Sequence, residues 1–412
     1  MSVKLGSMQL HIHPATTLKG IVQVPGSKSH TVRGILLACL AQGTSTLHNV
    51  NDCEDTQSAL GIARALGAQV HYKESTVQIQ SKGLPLQTEQ KLFAYNSGIT
   101  TRFVLPMLGL RAHPETPVAL DVAEQMRQRP MTSLAQALNS LGMHIEEPFP
   151  LHITGRLKGG EVEVEGKTSQ FLSALLLSLP CAKGPSTVRV HNLKERPYIE
   201  MTLAWLHRQN LHVQHTQQDD WDVFNLKGGQ NYQAFEHSIP GDYSSAASFL
   251  ALQYFFPDLE LKGLDPRDPQ ADKALVELLA AWPPSIDCTD FPDLLPTLAV
   301  VATQKGQPTK LHNVPQARIK ETDRIHSMVQ GLQAMGIQVD EHPDGLTVYP
   351  GQLHGAHIHG FGDHRTIMAF TVAGLLAKGP TTIDTAEGLD KTFPQFPEIL
   401  RSLGAELSLV VA

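Results

Sequence analysis

The chain has 412 residues, 18% of them charged, and a formal net charge of −7, which is too long for one hydrophobic core and suits two domains. The acidic balance excludes nucleic acid or an anionic membrane as principal partner, so any anion site must be local. The four cysteines, Cys39, Cys53, Cys181 and Cys288, show no C-x-x-C spacing, which excludes a disulfide framework and a structural zinc, and no run approaches ~18 apolar residues or supplies a signal-peptide core. A cytoplasmic protein is expected; residues 1–7 carry no weight in this reading.

One plan then repeats six times: a small, polar or Gly/Pro-containing loop runs straight into an apolar helix. The segments are PGSKSHTVRGILLACLA from Pro25, NSGITTRFVLPML from Asn96, TSQFLSALLLSL from Thr168, PGDYSSAASFLAL from Pro240, FPDLLPTLAVVAT from Phe291 and GFGDHRTIMAFTVAGLLA from Gly360. Their starts lie about 70 residues apart, with one interval nearer 50, which marks a supersecondary repeat. A turn and a strand follow each helix, and the tripeptides Leu47-His48-Asn49, Val190-His191-Asn192 and Leu311-His312-Asn313 recur at the same point. A second helix then ends in Leu-Gly or its equivalent, at Leu66-Gly67, Leu141-Gly142, Met335-Gly336 and Leu403-Gly404, before a further strand. Six such units predict an α/β assembly. Because corresponding loops carry different charged residues, they are expected to converge on a shared site rather than stack as a solenoid.

Taken in order, the loops offer Lys28, Ser29 and Arg33; Asn96, Gly98 and Arg102; Thr168, Ser169 and Gln170; Asp242; Asp293; and His364 with Arg365. The loops after the common strand add Arg127 and Arg129, Arg196 and Tyr198, the stretch 318–324, and Lys391. In that stretch Ile325, Met328, Val329, Leu332 and Met335 fall on one helical face, which predicts a helix capped by Thr322 or Asp323 and stopped at Gly336. Lys320 and Arg324 beside a positive helix end favour a phosphate or carboxylate, with Glu321 a proton donor or acceptor next to it. Cations gathered in an acidic protein suit multivalent anions: Arg129 and Arg365 can grip oxygens bidentately, while Lys28, Lys320 and Lys391 act as point charges. Residue by residue, plainer roles compete. Lys28 reads as a solvated helix start, Asp242 and Asp293 as N-caps, and Tyr198 as packing.

Other patterns are decoys. Gly166-Lys167-Thr168 resembles the end of a Walker A loop, but EVEVE before it reads as a strand. His354, His357, His359 and His364 suggest a metal, yet A-H-I-H alternates like a strand and no carboxylate or cysteine spacing supports ligation, so no metal is expected.

The strings PGSKS, NSG, RQRPM, TSQFLSALL, RPYIE, PGDYSSAA, FPD, RIKETDR, GDHR and KTFP, in this order from Lys19 to Leu403, resemble the 5-enolpyruvylshikimate-3-phosphate synthase family of enolpyruvyl transferases. The resemblance implies a two-domain α/β fold, an inside-out α/β barrel of six βαβαββ units with three per domain, that closes on substrate. Residues 1–22 with 239–412 would form domain one and residues 23–238 domain two. It implies transfer of the enolpyruvyl group of phosphoenolpyruvate to the 5-hydroxyl of shikimate 3-phosphate, with loss of phosphate, through a tetrahedral intermediate and on the route to chorismate and the aromatic amino acids. No cofactor is implied, and a monomer with small-molecule substrates is expected.

By motif position Lys28, Asp293, Glu321 and His364 would be catalytic, Asp293 accepting the hydroxyl proton and Glu321 protonating the methylene carbon. Lys28, Ser29, Arg33, Thr168, Ser169, Tyr198, Asp293, Gln316 and Lys320 would hold shikimate 3-phosphate, and Lys28, Gly98, Arg129, Gln170, Arg324, Arg365 and Lys391 phosphoenolpyruvate. Two departures stand out. Ile99 replaces a small residue after the glycine of the NSG loop, and Glu195 replaces a serine that the family places on the shikimate phosphate. A carboxylate repels phosphate, so Glu195 is expected to turn away, pair with a cation or mark a changed substrate. Thr168 for serine and Gln316 for asparagine are milder changes. The nearest alternative, a UDP-N-acetylglucosamine enolpyruvyl transferase, would need a cysteine that residues 111–131 lack. A paralogue acting on another phosphorylated alcohol and a non-catalytic relative complete the alternatives.

Overall fold

The computed structural model describes residues 8–411; residues 1–7 of the first expected domain, and Ala412, lie outside the described residues. The chain divides into two compact units, with crossings at Pro25/Gly26 and Pro240/Gly241 where 22/23 and 238/239 were expected. One unit is Gly26–Pro240 with the short segment Arg267–Pro269; the other holds the described residues up to Pro25, Gly241–Pro266 and those from Gln270 onward.

In the Gly26–Pro240 unit three sheets share one design, a parallel pair followed by two antiparallel strands. The first orders Glu236–Ser238, Gln42–His48, Thr76–Lys82 and Gln69–Lys73; the second Lys91–Phe93, Val118–Asp121, Leu151–Gly155 and Met143–Glu146; the third Glu161–Glu165, Ser186–His191, Trp221–Leu226 and Val213–Gln218. The helices Lys28–Leu40, Gly98–Met107 and Ser169–Ser178 are the predicted apolar ones, and they are buried almost all round. A helix with no polar face belongs in a core, which is why these three sit inside. Gly98–Met107 packs against both of the others.

The other unit has two sheets of the same design. They order Ser285–Asp287, Thr309–His312, Gly345–Val348 and Val339–His342, and His357–Ile358, Thr381–Ile383, Met8–Ile12 and Leu407–Val411. A parallel pair, Leu259–Lys262 with Gly20–Gln23, stands where a third would be. Its inner helices, Tyr243–Phe255, Leu295–Ala302 and His364–Leu376, pack on one another. Among the described residues no helix is long and apolar enough to cross a membrane.

The repeated tripeptide has a backbone cause. Asn49, Asn192 and Asn313 all take left-handed φ, at 57°, 50° and 61°, a region that asparagine tolerates far better than branched residues. They turn the chain out of the common strand. The glycines after the second helix do the same at the C-terminus: Gly67, Gly142, Gly336 and Gly404 have φ of 82°, 90°, 85° and 100°.

Candidate active site

In the Gly26–Pro240 unit the inner helices begin on neutral hydroxyl residues, Ser27, Ser97 and Thr168, rather than on aspartates. Lys28 opens the first helix and its Nζ lies 2.9 Å from Asp55 Oδ2, a carboxylate buried at the start of Glu54–Ala65. Arg33, one turn further on, is 1% exposed. Its guanidinium donates to Thr202 Oγ1 (2.9 Å), the Ser29 carbonyl (2.9 Å), the Tyr198 carbonyl (3.1 Å) and Ser173 Oγ (3.5 Å). Burial pulls Arg33 down to about 9, which leaves it charged at neutral pH. At the second helix a Cβ on Gly98 would stand 2.6 Å from Arg129 Nη1 and 3.3 Å from Arg102 Nη1, so a side chain there would push these guanidinium groups aside. Arg102 donates to Gln170 Oε1 (2.6 Å) and the Pro130 carbonyl (3.0 Å), fixing Gln170 at the start of the third helix.

The other unit gathers acids and cations around a single guanidinium. Asp323 caps Arg324–Ala334 through the His326 N–H, and Gly336 follows the last turn, both as predicted. Arg324, at the first helical position and 1% exposed, donates through Nη1 to Asp293 (2.6 Å), through Nη2 to Glu321 (2.8 Å) and through Nε to Asp363 (2.8 Å). Lys391 Nζ reaches the second oxygen of Glu321 at 3.3 Å. Asp363 also caps His364–Leu376 through the N–H groups of Arg365 and Thr366. Arg365 donates to the Ser244 carbonyl while its buried Nε finds no hydrogen-bond acceptor among the described residues. Burial pushes the Asp293 carboxyl up, but Arg324, Lys320 and Arg365 together outweigh it and hold Asp293 well below the usual carboxylate range. Burial lowers Arg324, and Asp363, Asp293 and Glu321 more than reverse that, so its charge is permanent.

The EPSP synthase (3-phosphoshikimate 1-carboxyvinyltransferase) family profile matches residues 12–282 and 281–400. The chain belongs to the EPSP synthase family. The curated 3-phosphoshikimate 1-carboxyvinyltransferase of Acetivibrio thermocellus is 38% identical over 94% of this chain and 97% of its own length. That of Methanothrix thermoacetophila is 37% identical, over 95% and 97%. In fold, an EPSP synthase from Acinetobacter baumannii superposes with a TM-score of 0.82 at 24% identity, covering 98% of this chain and 100% of that one.

Within this EPSP synthase family chain, Asp293, Glu321, Arg324 and Lys391 stand in one ion-pair cluster, while His364 and Arg365 open the helix capped by Asp363. Lys320 acts on Asp293 through its charge. Gln316 is buried nearby in sequence and donates to the Thr289 carbonyl (2.9 Å). Asp242 caps its helix as expected, through Ser244 and Ser245. Asp293 does not: it lies inside the turn Pro292–Leu294, and its carboxylate is drawn to Arg324 instead. Ile99 is absorbed into the hydrophobic core at 7% exposure. Glu195 does not turn away. At 2% exposure it accepts from Ser169 N–H (2.9 Å), Ser169 Oγ (2.7 Å) and Thr168 Oγ1 (3.4 Å).

The sequence reading missed three contributors. Asp55 and Asp363 hold expected site cations, and Asp272 is a buried acid close to Asp293 and Arg365. Asp363 was legible as the residue before His364 in a helix-opening loop; Asp55 and Asp272 sit in ordinary helical contexts with no local signal.

Proposed function

We propose that this chain joins the 5-hydroxyl of shikimate 3-phosphate to the enolpyruvyl group of phosphoenolpyruvate and releases phosphate, as a cytoplasmic monomer with no nucleic-acid or membrane partner. The observation that carries the reading is the Arg324 cluster, in which two carboxylates suited to proton transfer, Asp293 and Glu321, are gripped by one buried guanidinium beside Lys391.

The reaction moves two protons in its addition step. Asp293 takes the proton of the 5-hydroxyl as that oxygen attacks C2 of phosphoenolpyruvate, and Glu321 delivers one to the methylene carbon. In the elimination step the new methyl group returns a proton as the C2–phosphate bond breaks, restoring the double bond. With Arg324, Lys320 and Arg365 all acting on it, Asp293 is a weak base. Phosphoenolpyruvate strengthens that base when it draws these cations toward its own phosphate and carboxylate. Arg365, with a buried N–H still to be satisfied, is suited to such an anion. By motif position Lys28, Arg129 and Gln170 are assigned to phosphoenolpyruvate, and Thr168 and Ser169 to the phosphate of the alcohol. The thiols of Cys39, Cys53 and Cys181 are pushed up by burial, which argues against a cysteine nucleophile.

Purified protein is expected to release phosphate from phosphoenolpyruvate only when shikimate 3-phosphate is present; release without it, or none with it, overturns the reading. Lys28→Ala and Glu321→Ala are each expected to lower kcat by about a hundredfold or more with the fold intact by circular dichroism, the size typical of losing a positioned acid or base.

A further inference from the structure

Thr168 and Ser169 open an inner helix whose first-turn N–H groups and neutral hydroxyls form an anion-binding end. In this structure those donors are already engaged from within the chain. One oxygen of Glu195 takes the Ser169 N–H, the Ser169 hydroxyl and the Thr168 hydroxyl together. The carboxylate is delivered by a strained backbone. Glu195 has φ 57°, ψ 40°, a left-handed conformation, immediately before Arg196-Pro197 opens the helix Arg196–Arg208. A non-glycine residue held there costs about 1 kcal/mol, and such strain persists where surrounding contacts demand it. Nearby in the chain Arg196 forks onto both oxygens of Asp222 (2.9 and 2.7 Å), and Arg33 is held by Thr202, Ser29, Ser173 and Tyr198.

We propose that Glu195 is an internal anion that occupies the subsite for the phosphate of the alcohol substrate and sets the affinity and selectivity of that subsite. The proposal rests on the function given above, since it assigns Thr168 and Ser169 to that phosphate. A phosphate brings ~1.5–2 charges and three strong acceptor oxygens against one charge on the carboxylate, so it displaces Glu195 where a weaker monoanion does not. The displacement lowers apparent affinity by the fraction of molecules in which the donors are open. With about one in ten open, the substrate binds about tenfold more weakly than it would to an unobstructed subsite. The residue thus rejects alcohols that lack a dianionic group, while loosening the hold on the correct one.

The test compares the parent protein with Glu195→Ser, which removes the carboxylate, and Glu195→Gln, which keeps the shape and one acceptor oxygen but not the charge. In steady-state kinetics KM for shikimate 3-phosphate is expected to fall about tenfold in Glu195→Ser and by less in Glu195→Gln, with KM for phosphoenolpyruvate unmoved. A KM for shikimate 3-phosphate that is unchanged or higher in both variants overturns the proposal and makes Glu195 a helix cap only. A second arm titrates inorganic phosphate alone by calorimetry and needs no turnover. Glu195→Ser is expected to bind it about tenfold more tightly than the parent, and adding Ser169→Ala is expected to cancel the gain. Equal phosphate binding, or a gain that survives Ser169→Ala, overturns the proposal. If no protein turns over shikimate 3-phosphate while the phosphate arm still separates them, the assigned reaction fails and the role of Glu195 stands. Should Glu195→Ser not fold, Glu195→Gln carries both arms.

Discussion

Asp272 shows what a single buried acid does beside a cluster of charges. It is 1% exposed, and among the described residues no hydrogen bond of standard geometry reaches either oxygen, although Ser244 lies close enough to favour its charged form. Burial, and then the charge of Asp293, push its carboxyl up to about 7, against the pull of Arg365 and with Asp242 adding a smaller push. Its neutral form therefore leaves Arg365 unquenched and available to an anion. The sign for stability follows from linkage. Because the folded carboxyl holds its proton up to about pH 7 while the unfolded one releases it near 3.8, the folded state binds more protons between those values, and stability falls as pH rises through that window. Asp293 works the other way: held below its ordinary value of 3.8, it contributes its full stability above that pH and loses it as pH falls further, so the two windows do not overlap. Asp272→Asn removes the titration. Relative to the parent, it is expected to be more stable at pH 7.5 than at pH 5 by roughly 2–4 kcal/mol in urea unfolding. The same stability difference at both pH values would remove Asp272 as the source.

At the scale of elements, the helix starts were legible because their chemistry is local. Ser97, Thr168, Asp242, Asp323 and Asp363 each accept from an N–H of the turn they begin, which is what short polar side chains do at N-caps. The caps also divide by charge, hydroxyls in one unit and aspartates in the other, although both units bury arginines, Arg33, Arg102 and Arg111 in the first and Arg324 and Arg365 in the second. What stayed hidden were pairings between distant segments. Lys28 with Asp55, Arg324 with Asp363 and Glu195 with Ser169 depend on how elements meet, and no spacing encodes them. The roles of individual site residues came from resemblance, and the geometry adds which of them are clustered. The recurrent asparagine, visible only as a repeated tripeptide, gained a cause in its left-handed φ. Asn192 is exposed, and its amide meets its chain neighbour, His191 Nδ1, at 3.2 Å. Backbone preference therefore dominates there. Asn192→Gly is expected to be near neutral and Asn192→Val to lose about 1–2 kcal/mol in urea unfolding. Equal stability of the two variants would sink the conformational explanation.

For the molecule as a whole, the order of strands in space departs from the order in the chain in every four-stranded sheet, and in one of them the departure joins the two ends of the described chain. Met8–Ile12 is the first described strand, yet it lies between Thr381–Ile383 and Leu407–Val411, antiparallel to both, with Leu10 facing Ile383 on one side and Leu409 on the other. Leu10 and Ile12 are fully buried, so this strand closes the core of its unit as well as joining two edges. Removing residues through Ile12 would strip hydrogen bonds from two strands and the burial of two large aliphatic side chains. At ~1.5–3 kcal/mol for each side chain, that is a large share of the ~5–15 kcal/mol that holds a typical domain. The Gly26–Pro240 unit keeps its three complete sheets and its own core. In hydrogen-exchange mass spectrometry the truncated chain is expected to lose protection across 364–383 and 407–411 while the helix Gly98–Met107 stays protected. Inorganic phosphate should still meet Thr168 and Ser169 in that protected unit. Equal loss of protection in both units would show that their stabilities are not separable, and unchanged protection in 364–383 would show that Met8–Ile12 does not close this core.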